Sequence, residues 1–165
     1  MQIRPRLLIQ FEVLMMTVSE LSTALRQMAT TVPQLTFEPH FPGTMVSDDF
    51  DVAVSSSPET VCVAEPTCGR PLLADLPPDL SEDLQTCHSF INSLEPPRSL
   101  LLTLTQASLT ELPDFPSVES HVGIFRLAEL CNVHVTTVGR AIHGKVCQTP
   151  HGLVPFSQFI TNLRK

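Results

Sequence analysis

Tryptophan and tyrosine are both absent from this 165-residue chain, and its aromatic content of 5% is all phenylalanine. A core without the larger rings is aliphatic and modest, which argues against a large, well-packed enzyme body. No stretch approaches the roughly 20 apolar residues of a membrane span, so no membrane association is expected. The opening "MQIRPRLLIQFEVLMM" is basic and then apolar, but Gln10 and Glu12 break the run and no small-residue cleavage site follows. Catalytic signatures are missing as well. There is no nucleophile elbow, no glycine-rich phosphate loop and no HExxH, so neither an enzyme nor a bound cofactor is expected. The five cysteines, Cys62, Cys68, Cys87, Cys131 and Cys147, are odd in number and irregularly spaced. They fit a reducing cytoplasm better than a disulfide framework.

Charge and proline are unevenly spread. The net charge is −7, yet residues 117–165 hold five Lys/Arg against two Asp/Glu, together with four of the six histidines. A local positive excess on an acidic chain directs any nucleic-acid contact to that third. Residues 38–83 carry many of the 15 prolines, a serine run and acids, with almost no bases. This composition predicts a disordered acidic linker in which Asp48, Asp49 and Asp51 are solvated charges, His40 is a surface or packing residue, and Cys62 and Cys68 are idle thiols. The patches "DVAV" and "VCVA" have strand character but no evident mate.

The remaining pattern is helical. Leu14, Val18, Leu21 and Leu25 belong to an apolar stripe over residues 7–31 at spacings of three and four, with Pro5 near its start and Val32-Pro33 at its end. The stripe forms one helix, or two if Thr17 or Ser19 caps a second. With no partner in its own piece, it must pack on something distant or on another protein. Residues 84–95 predict a short amphipathic helix, with His88 a surface or packing residue, and residues 99–112 a further one ending at Pro113.

From Val118 the spacing predicts a helix "VGIFRLAELC", a turn at Asn132, a second helix "VTTVGRAIHG" and a tail "VCQTPHGLVPFSQFITNL". Two short helices sharing a face across a tight turn follow the helix-turn-helix plan, and asparagine tolerates the positive φ such a turn requires. Val138 and Ile142 then face inward, with Thr136, Thr137 and Arg140 outward. Arg140 suits a bidentate contact to guanine, while Thr136, Thr137 and Lys145 suit phosphates or base edges. A compact helix pair with a merely solvated outer face fits the same periodicity. Cys131, His134, His143 and Cys147 imitate a zinc spacing, but the helical pattern turns Cys131 inward and His134 outward, so no metal site is expected.

The run "LAELCNVHVTTVGRAIHGKVCQTPHGLVPFSQF" resembles the C-terminal DNA-binding region of the sigma-54 family of bacterial RNA polymerase sigma factors. That family carries V-A-x-x-x-G-M-H-x-S-T-x-S-R, then a Lys and a Q-T-P-R-G run. Here Ala128, His134, Thr137, Val138, Arg140, Lys145, Gln148, Thr149, Pro150, Gly152 and Phe159 match. In the same order, "INSLEPPRSLLLTLTQA" is similar to the helix pair that precedes this motif, and "LIQFEVLMMTVSELSTALRQMATTVPQL" to the family's N-terminal regulatory segment.

The resemblance implies a mainly α fold: short helices, an N-terminal amphipathic helix, a long disordered acidic linker and a C-terminal helix-turn-helix. It divides the chain into an activator-interacting segment at 1–37, the linker at 38–83, a remnant of core-binding helices at 84–116, and the helix-turn-helix domain at 117–165. It implies a transcription initiation factor of the bacterial cytoplasm and nucleoid, with RNA polymerase core, promoter DNA and an activator ATPase as partners. His134, Thr136, Thr137, Arg140 and Lys145 would contact DNA, and Leu14, Val18, Leu21 and Leu25 would contact activator or polymerase. The departures are specific. Most of the family's core-binding domain and its arginine-rich terminal box have no counterpart here, Val135-Thr136 replace Glu-Ser, and Gly139, His151 and Pro155 replace a Ser, an Arg and a helix position. They leave open the alternative of a degenerate, truncated relic or interaction protein that no longer reads promoters.

Overall fold

A computed structural model describes residues 6–56, 59–73, 79, 81–112 and 121–161. The N-terminal stripe forms two helices, α1 (Arg6–Met15) and α2 (Val18–Thr31). Thr17 separates them in extended geometry, its hydroxyl accepting from the Glu20 amide at 3.2 Å and donating to the Glu20 carboxylate, also at 3.2 Å. This Thr-x-x-Glu pattern marks a helix start. The chain leaves α2 at Val32, whose amide still reaches Met28 O, and Pro33 prevents continuation. Pro5, Pro113 and the side chains of Leu7, Leu8 and Phe11 lie outside the described residues.

The expectation of a mainly α chain with a disordered acidic linker is overturned by the next segment. It contains β1 (Leu35–Glu38), β2 (Val52–Ser56), β3 (Glu59–Val63) and β4 (Arg70–Leu73). β1 and β4 pair antiparallel, with Glu38 opposite Arg70 and their side chains joined at 2.9 Å. β2 and β3 are each other's missing mates, with Val52, Ala53 and Val54 facing Val63, Cys62 and Val61. β-branched side chains suit a pleated, half-buried surface, and valine supplies it here. A glycine is obligatory just before β4: Gly69 has φ +106, and a Cβ there would sit 2.8 Å from Glu38 O.

Two helices follow, the second starting four residues before the expected Ser99. α3 (Glu82–Asn92) is capped by the Ser81 hydroxyl on the Leu84 amide, and α4 (Glu95–Glu111) opens on Pro96-Pro97, where a missing amide hydrogen costs nothing. The two-residue β5 (Val122–Gly123) then leads into α5 (Ile124–Cys131) and α6 (Val135–Ile142). The tail forms a hairpin, with β6 (Val146–Thr149) and β7 (Gly152–Pro155) joined by Pro150-His151. Thr149 closes this turn through its hydroxyl, which accepts from the His151 amide at 3.1 Å and donates to Gly152 O at 2.9 Å. Gly152 adopts φ +119. A 3-10 turn, Phe156–Phe159, precedes β8 (Ile160–Thr161), which pairs with β5.

Among the described residues the fold is therefore mixed: six α-helices and eight strands in three sheets. The largest sheet has the order β3-β2-β6-β7, so a parallel β2–β6 pairing joins the acidic segment to the C-terminal hairpin. A two-stranded hairpin is marginal in water. Two more strands and a covering of helices stabilise this one, and Val52, Leu104, Leu127, Val138, Cys147 and Phe156 meet beneath it in one buried cluster. Phe156 and Phe159 are fully enclosed, edge to face with centroids 6.3 Å apart. A second cluster, Ile9, Val13, Leu25 and Phe90, fastens α1 and α2 to α3.

Candidate nucleic-acid interface

The turn between α5 and α6 is built as its residues require. Asn132 takes the left-handed conformation, φ 53 and ψ 47, and is the one described non-glycine residue with positive φ. Its amide and that of Val133 reach back to Glu129 O and Ala128 O at 3.2 and 3.0 Å, which closes the end of α5. His134 then caps α6, Nδ1 accepting from the Thr136 amide at 3.2 Å. A ring that accepts at Nδ1 carries its proton on Nε2, so the cap leaves a donor on the exposed side of the imidazole.

Burial divides α6 cleanly. Val138, Ala141 and Ile142 are enclosed against α5, α4 and α1, while His134, Thr136 and Arg140 are exposed and Thr137 is half-buried. Four of the five expected DNA contacts therefore lie on or beside the outward face of one short helix and its cap. Neighbouring Arg126 is already engaged, 3.4 Å from both Glu111 and Glu129, and its hydrogen bond to Glu111, followed by that carboxylate's charge and the Glu129 contact, raises its guanidinium further above the usual range. Arg164 and Lys165 lie outside the described residues.

Lys145 is placed differently from the expectation. It is 6% exposed, and Nζ donates to Leu14 O at 3.2 Å and to Met16 O. These carbonyls end α1, where no intrahelical donor remains, so the ammonium acts as an internal cap. The side chain thus points into the protein rather than toward a phosphate. Burial lowers its pKa, against the pull of Asp51 and Glu20.

Asp51, expected to be a solvated charge, is 5% exposed and accepts from two amides, Val18 at 2.6 Å and Val146 at 2.8 Å. It thus joins the first turn of α2 to the first residue of β6. Burial raises its pKa, outweighing those two bonds and Lys145. Asp48 is likewise engaged, with the Thr67 amide at 2.9 Å, the Ser22 hydroxyl at 3.4 Å and Arg26 at 4.0 Å. Burial works to raise its pKa, but the Thr67 hydrogen bonds and Arg26 outweigh it, and the net shift is downward. Asp49 is exposed.

The N-terminal stripe is occupied from within. Val18 and Leu25 are 4% and 1% exposed, and Leu14 and Leu21 are half-buried against the two core clusters. Its distant partners are α3 and α6. Those four side chains are spent largely on intramolecular packing and present no continuous free stripe.

Of the zinc look-alike, Cys147 is wholly enclosed and its thiol is pushed up to about 12 by burial. Among the described residues no group of three or more His, Cys, Asp and Glu side chains is placed to hold a metal ion. Nor is any described helix long and apolar enough to cross a membrane.

A second polar assembly has no local signature. His40 meets Glu65 through Nδ1 and Pro66 O through Nε2, each at 2.7 Å, and Arg98 reaches the other Glu65 oxygen at 2.9 Å. Its members are far apart in sequence, and only the pairing of β1 with β4 and the packing of α4 on β3 bring them together. No protein-family model matches this sequence, and comparison with curated proteins returned no match.

Proposed function

We propose that this chain is a shortened sigma-54-like transcription initiation factor, which binds promoter DNA through α5 and α6 and acts with RNA polymerase core and an activator ATPase. It performs no chemistry of its own in this reading and works in the bacterial cytoplasm, on the nucleoid. The carrying observation is the α5–Asn132–α6 unit, whose apolar rear is buried and whose cap and outer face present His134, Thr136 and Arg140. Residues at the start of a recognition helix are the ones that meet base edges in the major groove. The collinear sequence resemblance supplies the partners.

Fluorescence anisotropy of the full chain on a duplex carrying a GC promoter element, across a salt series, tests this. Salt-dependent binding is expected, and Arg140→Ala should weaken it about 5- to 150-fold, the equivalent of losing one bidentate guanine contact of about 1–3 kcal/mol. Absence of salt-dependent affinity, or an Arg140→Ala variant that binds as well as the parent, overturns the reading.

The burial of Lys145 and the net charge of −7 favour a second reading, an interaction protein or relic that has lost promoter recognition. Co-purification with polymerase core or the activator ATPase, without DNA affinity, is its signature.

A further inference from the structure

His40 stands two residues beyond β1 with an acceptor at each ring nitrogen, the Glu65 carboxylate 2.7 Å from Nδ1 and the Pro66 carbonyl 2.7 Å from Nε2. A neutral imidazole has one N–H and one lone pair, so it satisfies only one of them. A carbonyl oxygen never donates. The other Glu65 oxygen is 2.9 Å from the Arg98 guanidinium, and a carboxylate paired in this way has no proton to give. Both ring nitrogens therefore donate, and the ring that fits the site is the imidazolium.

The other charges around the ring are balanced among themselves. On β1 and β4, Glu38 is 2.9 Å from Arg70; on α4, Glu95 is 3.9 Å from Arg98; beside Pro66, Asp48 is 4.0 Å from Arg26 of α2. Asp51 and Lys145, on the wall of the half-open cavity that His40 borders, attract each other. Among the described residues, Glu65 is the one charged group within hydrogen-bond reach of the ring.

The ring also lies within a strap. Residues 38–47 wrap Glu65-Pro66: Arg70 donates to Pro39 O at 3.0 Å, the Glu65 amide to Met45 O at 2.9 Å, and the Ser47 amide to Glu65 O at 3.0 Å. His40 and Glu65 are both largely buried, so water does not readily replace a lost partner.

We infer that His40 is a proton-operated latch, which holds the strap on Glu65-Pro66 through two bonds as the imidazolium and through one as the neutral ring. The carboxylate decides which bond survives. A lone pair on Nδ1 would face a negative oxygen at 2.7 Å, so Nδ1 keeps its proton, the Nε2 proton passes to water, and the Pro66 contact is lost. Imidazole ordinarily changes charge between about pH 5 and 8, which puts the latch in the physiological range. The folded chain offers fixed acceptors for both protons and the unfolded chain offers none, so the latch stabilises the fold at acid pH and weakens as pH rises. This inference is independent of DNA binding, which the anisotropy measurements read separately.

The test is a series of long-range proton–nitrogen correlation spectra of the histidine rings in the full chain, from about pH 5 to pH 9. The His40 ring should carry protons on both nitrogens at the acid end and finish as the Nδ1–H tautomer. Thermal unfolding gives a second reading. Over the same range the melting temperature of the parent should fall by roughly 3–12 °C more than that of His40→Gln, the worth of one hydrogen bond to a charged group in a chain of this size. The remaining histidines are common to both chains and cancel in the difference. If His40→Gln does not fold, the tautomer in the parent decides alone. A neutral His40 ring with its proton on Nε2 overturns the proposal, as does a parent that loses no more than His40→Gln.

Discussion

Lys145→Ala separates two roles for one side chain. If the lysine contacts a phosphate, as the sequence resemblance implies, its loss weakens DNA binding and lowers the slope of log affinity against log salt by about 0.9, at little cost in stability. The structure leads to the opposite result. The ammonium is buried, donates to Leu14 O and Met16 O at the end of α1, and stands by the carboxylate of Asp51. Truncation leaves two half-buried carbonyls without their donor and a buried carboxylate without its counter-charge. Breaking a buried charged assembly from one side typically costs about 3–5 kcal/mol. Each carbonyl that water cannot reach adds to the lower end of that range. Against a total stability of about 5–15 kcal/mol for a domain, this is a large fraction. At about 2–4 °C per kcal/mol for a chain of this size, the melting temperature should fall by roughly 6–20 °C. Thermal unfolding followed by circular dichroism reads the first quantity, and a salt titration of DNA binding reads the second. A variant that melts within about 2 °C of the parent but has a shallower salt slope would refute the internal role.

Gly139→Ala should stabilise the protein by about 0.5–1 kcal/mol in chemical denaturation, because the glycine lies inside α6 and a Cβ there meets only Ile124 Cδ1, at 4.0 Å; a loss of stability would contradict that open packing. Under native conditions at pH 8, a thiol reagent followed by peptide mapping should label Cys62, which is exposed, and spare Cys147, whose thiol is enclosed and raised to about 12. Labelling of both at similar rates would mean that the β2–β6 seam opens freely. Asp48 has its folded pKa below the ordinary 3.8, so its contribution is complete above pH 3.8 and is lost as pH falls through the lower, folded value. Asp48→Asn should therefore flatten the acid limb of the stability–pH curve in that window, and an unchanged acid limb would count against the Thr67 and Arg26 contacts as its cause.

Local features of the sequence foretold the helices and some of their ends, but not the start of α4, where Pro96 and Pro97 lie in the first turn instead of separating two helices. Thr17, Ser81 and Asn132 each carry their structural role in their own side chain or backbone tolerance, so the split of the N-terminal stripe and the α5–α6 turn were legible from neighbouring residues. The sheets were not. "DVAV" and "VCVA" pair with each other, a mating between neighbouring patches that their acidic, proline-bearing surroundings concealed, and the two strands that complete their sheet begin at Val146, a separation no local pattern reports. The composition of the acidic segment also misled. Proline, serine and aspartate mark disorder when their polar groups face water, whereas Asp51 and Asp48 here satisfy amides of α2, β6 and Thr67. At the candidate interface the same division holds. The outward set on α6 follows from helical periodicity, while the inward turn of Lys145 depends on where α1 ends.

The parallel seam between β2 and β6 also sets a schedule for synthesis. The β2–β3 hairpin is translated in full by Val63, but the strand that covers its other edge is not complete until Thr149. At about 5–20 residues per second, the ribosome takes roughly 4–17 s to supply it. Through that interval the nascent chain carries a valine-rich strand with an open edge and no lid, the kind of surface that recruits chaperones or pairs with a neighbouring chain. Slow codons between these two points would prolong the exposure, so yield of soluble protein should respond to translation rate there more than anywhere upstream of β2.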